Sequence, residues 1–135
     1  MNDAARLALV GGLFPNLTDT MLCELYRAVK HNDHRLVQGI TVYPRPMVDT
    51  SNARCQCACL IAYPSWKGLN LQSVCDVENA FVEQCDAIRI TTGDEYAVAN
   101  LLAWYDDTPM DDVLTTLLTE VSLEMFRRKL TPTGV

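Results

Sequence analysis

The chain of 135 residues has the usual length of one globular domain, and 49% of its residues are hydrophobic against 21% charged. It contains no low-complexity tract and no internal repeat, which excludes disordered and repeat architectures. Its formal net charge of −6 does not favour direct nucleic-acid binding. We therefore predict a single domain over residues 1–135.

The N-terminal segment lacks the features of an export signal. Its apolar run over residues 7–14 is short, and Asp3 precedes Arg6, so no positively charged region leads into the run. No A-x-A-like cleavage site follows, and a membrane span would need roughly 20 apolar residues. We therefore predict a cytoplasmic protein that does not bind a membrane.

The first predicted helix begins at Asn16 and ends at about His31. Asn16 can accept hydrogen bonds from first-turn amides, and Asp19 suits the positive end of the helix dipole. Apolar residues then recur at helical spacing from Leu17 to Val29. This pattern is typical of an amphipathic helix.

Two strands are predicted next, over residues 35–43 and 54–63. The first is rich in β-branched and aromatic residues, and two prolines end it. The second alternates cysteine with other residues and ends at Pro64. Together they predict an antiparallel hairpin with a long, proline-stiffened connection.

A long helix is predicted to follow Ser73. Ser73 is a suitable N-cap, and apolar residues recur at helical spacing from Val74 to Ile88. Residues 87–91 are either a short third strand or the end of this helix. The two alternatives remain open from the sequence alone.

Two more helices are predicted in the last third of the chain. Thr92 is the N-cap expected for a helix that reaches about Tyr105. Thr108 and Pro109 have the form of an N-cap and first residue for the last helix. These elements predict an α+β fold in which about four helices pack on a small antiparallel sheet of two or three strands.

The three closely spaced cysteines are the first candidates for chemistry. On a strand Cys55, Cys57 and Cys59 point to one face, and their parallel side chains do not suit a disulfide. No C-x-x-C pair of the kind that holds zinc occurs in the sequence. We therefore predict buried structural thiols, with metal binding or redox chemistry as the alternatives.

Two polar clusters are candidates for a catalytic or metal site. His31 and His34 are the only histidines, and they fit a polar turn after the first helix. The acidic stretch 106–112 could attract Mg²⁺, but a helix start inside it accounts for most of its carboxylates. No glycine-rich phosphate loop or nucleophile elbow occurs. We therefore predict no catalytic residue, no bound metal and no cofactor.

Charge is unevenly distributed along the chain. Through Gly68 there are seven Lys/Arg and five Asp/Glu, whereas the remainder holds four and twelve. Between Asp76 and Asp112, ten acidic residues meet one basic residue, Arg89. Such a field attracts basic partners, although an acidic surface that only maintains solubility would give the same count.

The sequence therefore predicts a non-enzymatic intracellular protein-interaction domain of the inhibitor, immunity-like, adaptor or chaperone type. Its expected partner is a basic protein. The predicted partner-binding residues are Glu83, Asp86, Asp94, Glu95, Asp106, Asp107 and Trp66. Trp66 follows Pro64 in a predicted loop, where an amphipathic ring often meets a partner, with packing inside the protein as the alternative.

Two further hypotheses accompany this prediction. The alternative function is a small enzyme that uses Cys85 or the histidines 31 and 34, or a metal-binding protein. The last helix also carries a broad apolar surface, which would allow a homodimer.

Overall fold

A computed structural model describes residues 1–131, so the last four residues of the predicted domain lie outside the described part. Within it the chain forms six α-helices and one two-stranded antiparallel sheet, which confirms the predicted α+β class. The helices are α1 Asp3–Ala8, α2 Asp19–Lys30, α3 Ala62–Gly68, α4 Val74–Thr92, α5 Ala97–Asp107 and α6 Met110–Arg127, and the strands are β1 Val42–Tyr43 and β2 Cys57–Ala58.

The N-terminal segment is a structural part of the core. Asn2 caps α1 by accepting a hydrogen bond from the Ala5 amide at 2.7 Å. A π-helical turn over Leu9–Leu13 and a 3-10 turn over Phe14–Asn16 continue α1 towards α2. The apolar run 7–14 thus supplies buried core residues, and α1 packs against α5.

Helix α2 is confirmed, but its N-cap differs from the predicted one. The Thr18 hydroxyl accepts a hydrogen bond from the Met21 amide at 3.2 Å. Asn16 instead donates to the Gly12 carbonyl at 2.7 Å, which ties the 3-10 turn to the π-helical turn before it. The predicted N-cap therefore lies two residues before the observed one. The buried face of α2 packs against α3 and α6.

Both strands are much shorter than predicted. Val42 pairs with Ala58 and Tyr43 with Cys57, so the antiparallel hairpin exists over only two residues on each side. Gly39 has a φ of 83°, a left-handed conformation that interrupts the predicted strand 35–43. Leu36, on the other side of this glycine, forms a separate parallel bridge to Ala58.

The second predicted strand, 54–63, is wrong beyond Ala58. The chain turns into α3, and the Tyr63 amide donates to the Cys59 carbonyl at 2.8 Å. Pro64 does not end a strand, because it occupies the first turn of α3, where a helix needs no amide donor.

The C-terminal half is helical, as predicted, but the predicted N-caps Thr92 and Thr108 are wrong. Ser73 caps α4 as expected, and residues 87–91 continue α4 instead of forming a third strand. Thr92 is the last residue of α4 and not an N-cap, because Gly93 ends this helix with a φ of 67°. Thr108 likewise makes no capping bond to α6.

One hydrophobic cluster joins the helices, and α3 lies at its centre between α2 and α4. Helices α2 and α3 approach each other closely at Gly68, the last residue of α3. A Cβ atom there would lie 2.8 Å from the Cα atom of Met21 in α2. Because backbone cannot give way as a flexible side chain can, this contact requires glycine.

We predict that Gly68→Ala lowers the free energy of unfolding by about 1–3 kcal/mol, because the added methyl group forces α2 and α3 apart. Urea denaturation measures the change. Gly11→Ala is the matched control, since its methyl group would meet only the flexible end of Leu7 at 3.3 Å. A Gly68→Ala protein as stable as the wild type would contradict this account of the packing.

Candidate functional site

Four of the predicted acidic residues lie close together along the chain. Glu83 and Asp86 are on the exposed face of α4, and Asp94 and Glu95 lie in the turn that follows it. Residues three apart on a helix share one face, so the first two carboxylates are neighbours. Asp86 pairs with Arg89 at 3.2 Å, whereas Glu83 and Glu95 have no ion-pair partner within residues 1–131.

Exposed apolar side chains accompany these carboxylates. Val82 is 51% exposed and Ile90 is 81% exposed on α4, and Tyr96 lies exposed in the following turn. We define the α4 surface as Val82, Glu83, Asp86 and Ile90. Val82 and Ile90 were not predicted as site residues. Both fall outside the apolar stripe that predicted the buried face of α4, and this position is the signal that could have identified them.

The remaining two predicted acidic residues are elsewhere. Asp106 and Asp107 lie at the C-terminal end of α5, about 15 Å along the helix axis from its start near Glu95. The Asp106 carboxylate accepts a hydrogen bond from the Gly39 amide at 2.9 Å. The structure therefore divides the six predicted carboxylates into two groups, and Asp106 stabilises the turn at Gly39.

Trp66 does not lie in a loop, as predicted. It is on α3 and only 6% exposed, and its ring meets the Tyr63 ring edge-on at 5.6 Å. Two cations lie against the indole, the Lys67 ammonium at 4.8 Å and the Arg35 guanidinium at 6.0 Å. The ring thus packs within the protein and holds two positive side chains beside it.

A cavity with a volume of about 640 Å³ lies beside Trp66. Its walls come from α2, α3, the turn before β1, and the segments on either side of α3. Its charged lining residues are Glu24, Arg27, Asp33, Arg35, Arg54 and Lys67. No sequence pattern predicts this cavity, because its charged residues are separated by up to 43 positions and only folding brings them together.

Both carboxylates of the cavity are already paired with cations. Glu24 pairs with Arg27 at 3.0 Å, and Asp33 pairs with Arg35 at 2.6 Å. The hydrogen bonds from Arg35 lower the pKa of Asp33 to about 2, so this carboxylate stays ionised at neutral pH. Tyr63 also donates to Asp33 at 3.2 Å, and burial raises the pKa of this tyrosine.

Two cations of the cavity have no carboxylate partner. No carboxylate within residues 1–131 pairs with Arg54 or with Lys67. The cavity lining therefore carries four positive and two negative side chains, an excess of two positive charges. The other polar groups of its wall include the side-chain amides of Gln56, Asn70 and Gln72.

The buried cysteines have raised pKa values. Burial raises the pKa of Cys55 and of Cys85 to about 11, and that of Cys59 to about 12. A catalytic thiol needs a lowered pKa, so the alternative of an enzyme based on Cys85 gains no support. His31 and His34 are both exposed after the end of α2, and neither hydrogen-bonds to a thiol in the described chain.

Neither a metal-binding cluster nor a membrane-spanning helix occurs within residues 1–131. Across residues 1–131, no group of three His, Cys, Asp or Glu side chains could hold a metal ion. The acidic stretch 106–112 is therefore not assembled as a metal site. Among the helices described, none is both long enough and apolar enough to cross a bilayer.

Comparison with protein-family models, curated proteins and solved structures finds no significant match to this chain. The proposals below accordingly rest on the geometry of the chain itself.

We predict that iodoacetamide modifies Cys85 slowly in the native protein. At about pH 8 a thiol with a pKa of about 11 holds roughly a hundredfold less thiolate than one at the ordinary value. Mass spectrometry over time measures the rate for each cysteine, and the chain unfolded in guanidinium chloride is the control. A Cys85 that reacts faster when native than when unfolded would contradict the structural assignment and favour the enzyme hypothesis.

Proposed function

We propose that the chain is a non-catalytic protein-interaction domain that binds a basic partner through the α4 surface. One observation carries this proposal: Val82 and Ile90 stand exposed on the same helix as Glu83 and Asp86. A surface that only maintains solubility needs charge but no exposed aliphatic side chains. Apolar contacts bordered by charged groups are typical of protein interfaces.

The two kinds of side chain would have different roles in binding. The carboxylates would accelerate association with a basic protein at low salt, since long-range attraction is screened as salt rises. Val82 and Ile90 would contribute the apolar contact that slows dissociation. Asp94 and Glu95 extend the negative field beyond the end of α4, with Tyr96 exposed beside them.

The chemistry of the cysteines supports a non-catalytic role in a reducing compartment. All six are free thiols, and burial raises the pKa of several of them. Six unpaired thiols in one small domain are more typical of the cytoplasm than of an oxidising compartment. We accordingly place the proposed interaction in the cytoplasm, as part of the same proposal.

We predict that neutralising the α4 carboxylates and their neighbours removes a salt-sensitive partner. The test variant combines Glu83→Gln, Asp86→Asn, Asp94→Asn and Glu95→Gln, which raises the net charge by four. Wild type and variant are immobilised, lysate from the native cell is applied at low and high salt, and bound proteins are identified by mass spectrometry. We expect the variant to lose a partner that the wild type releases at high salt.

The matched control carries the same charge change at exposed acidic positions elsewhere: Asp3→Asn, Asp49→Asn, Asp111→Asn and Asp112→Asn. It should retain the partner if the position of the charge matters, and lose it if only net charge matters. A third variant, Val82→Ser with Ile90→Ser, keeps every carboxylate and should release the partner faster. Identical partner lists for wild type and the first variant would refute the interface on α4.

We also propose that α6 mediates a homodimer. Phe126 is 81% exposed, and beside it lies a pocket of about 160 Å³ lined by Tyr26, Met125 and Leu130. In a two-fold dimer each copy presents the same patch, so a protruding ring next to a pocket can be self-complementary. The Phe126 ring of one copy would enter the pocket of the other.

We predict that Phe126→Ser shifts the protein to the monomer, because it removes the ring that would fill the partner's pocket. Light scattering at several protein concentrations measures the mass. Ile90→Ser is the matched control, since Ile90 is also 81% exposed but lies on α4; it should leave the dimer intact. A wild-type protein that stays monomeric at the highest concentration would rule out this dimer.

A further inference from the structure

We propose that the cavity beside Trp66 binds a small phosphate monoester with a polar organic part. This proposal goes beyond the interaction proposed above, because no residue of the cavity belongs to α4. It rests on the volume of the cavity, the excess of positive charge in its lining, and the way in which its cations are held.

The charge of the cavity points to an anion with two negative charges. The ion pairs of Glu24 with Arg27 and of Asp33 with Arg35 leave Arg54 and Lys67 without a carboxylate partner among residues 1–131. A phosphate monoester carries nearly two negative charges at neutral pH, whereas a carboxylate carries one. The phosphate group therefore matches the two remaining cations.

The two cations come from different walls of the cavity, one formed by the segment before β2 and the other by α3. Arg54 lies in the segment before β2, and Lys67 is in the last turn of α3. The positive charge of Lys67 reaches this segment, since it opposes the rise that burial causes in the pKa of the neighbouring Cys55. A phosphate between the walls would receive forked hydrogen bonds from Arg54 and a point charge from Lys67.

The ring of Trp66 makes the cation site partly preorganised. Its face holds the ammonium of Lys67 at 4.8 Å, and the Tyr63 ring packs against it nearly perpendicularly at 5.6 Å. Tyr63 in turn donates to Asp33, which holds Arg35. A cation that is already positioned loses less side-chain freedom on binding, which favours affinity for a small anion.

The size and the remaining lining define the rest of the ligand. A cavity of about 640 Å³ is much larger than a phosphate group and falls in the range of small-molecule sites. The side-chain amides of Gln56, Asn70 and Gln72 can both donate and accept hydrogen bonds. These amides would bind hydroxyl groups of a ligand better than an apolar ring, so the organic part of the ligand is a polyol or sugar.

The test is an NMR titration of the ¹⁵N-labelled chain at about pH 7.5, where a phosphate monoester is largely dianionic, with ionic strength held constant. The probes are inorganic phosphate, glycerol phosphate and acetate. Both phosphates should give saturable shifts confined to the amides of residues 54–56, 67 and 70–72. Glycerol phosphate should bind more tightly than inorganic phosphate, and acetate more weakly than either.

Arg54→Gln and Lys67→Gln should each weaken phosphate binding by about tenfold, because each removes a charge-assisted hydrogen bond. Arg45→Gln is the matched control, because Arg45 is exposed and lies outside this cavity, and the substitution removes the same charge. Thermal melts verify that all three variants fold.

Three results would overturn the proposal. Equal weakening in Arg45→Gln, or shifts spread over the whole surface, would mean that phosphate binds through net charge alone. Acetate binding as tightly as phosphate would make this a carboxylate site. Equal affinities for glycerol phosphate and inorganic phosphate would remove the case for a monoester. None of these results bears on the α4 surface, so the two proposals fail independently.

Discussion

The structure depends on the burial of nine consecutive residues, 58–66, through the middle of the molecule. Backbone groups cut off from water must find hydrogen-bond partners inside the protein. Ala58 finds them on one side, where its amide donates to the Arg35 carbonyl at 2.9 Å and its carbonyl accepts from Val37 at 3.0 Å. From Ala62 onward the backbone groups hydrogen-bond to one another as a helix, so the segment changes from strand to helix within the core.

This change of conformation links the fold to the cavity. A strand that continued to residue 63 would send alternate side chains to opposite faces. As a helix, α3 packs between α2 and α4 and brings Tyr63, Trp66 and Lys67 to the same wall. Gly68 then allows α3 to end in direct contact with α2, which supplies Glu24 and Arg27 to another wall of the cavity. The cavity is therefore a product of helix packing.

The sequence predicted the elements whose burial is one-sided. Helices α2, α4 and α6 show apolar residues at helical spacing, and the cap at Ser73 is as expected. Prediction failed where burial is continuous, as in 58–66, because periodicity disappears when every face is covered. For the α4 surface, the sequence predicted the carboxylates but not the exposed Val82 and Ile90. The cavity could not be predicted, because separate segments of the chain form its walls.

Ion pairing explains how the charge division along the chain becomes two separate surfaces. Two cations pair with acids far along the sequence: Arg6 with Glu120 and Arg128 with Asp19. These pairs remove charge from the helix contacts. Within residues 1–131, cations without an ion pair remain at the cavity, and carboxylates without an ion pair remain on and after α4. A basic protein and a phosphate monoester would consequently bind to different places, and each ligand would be repelled from the other's site. One small domain can hold both, because the cavity and the α4 surface share no residue.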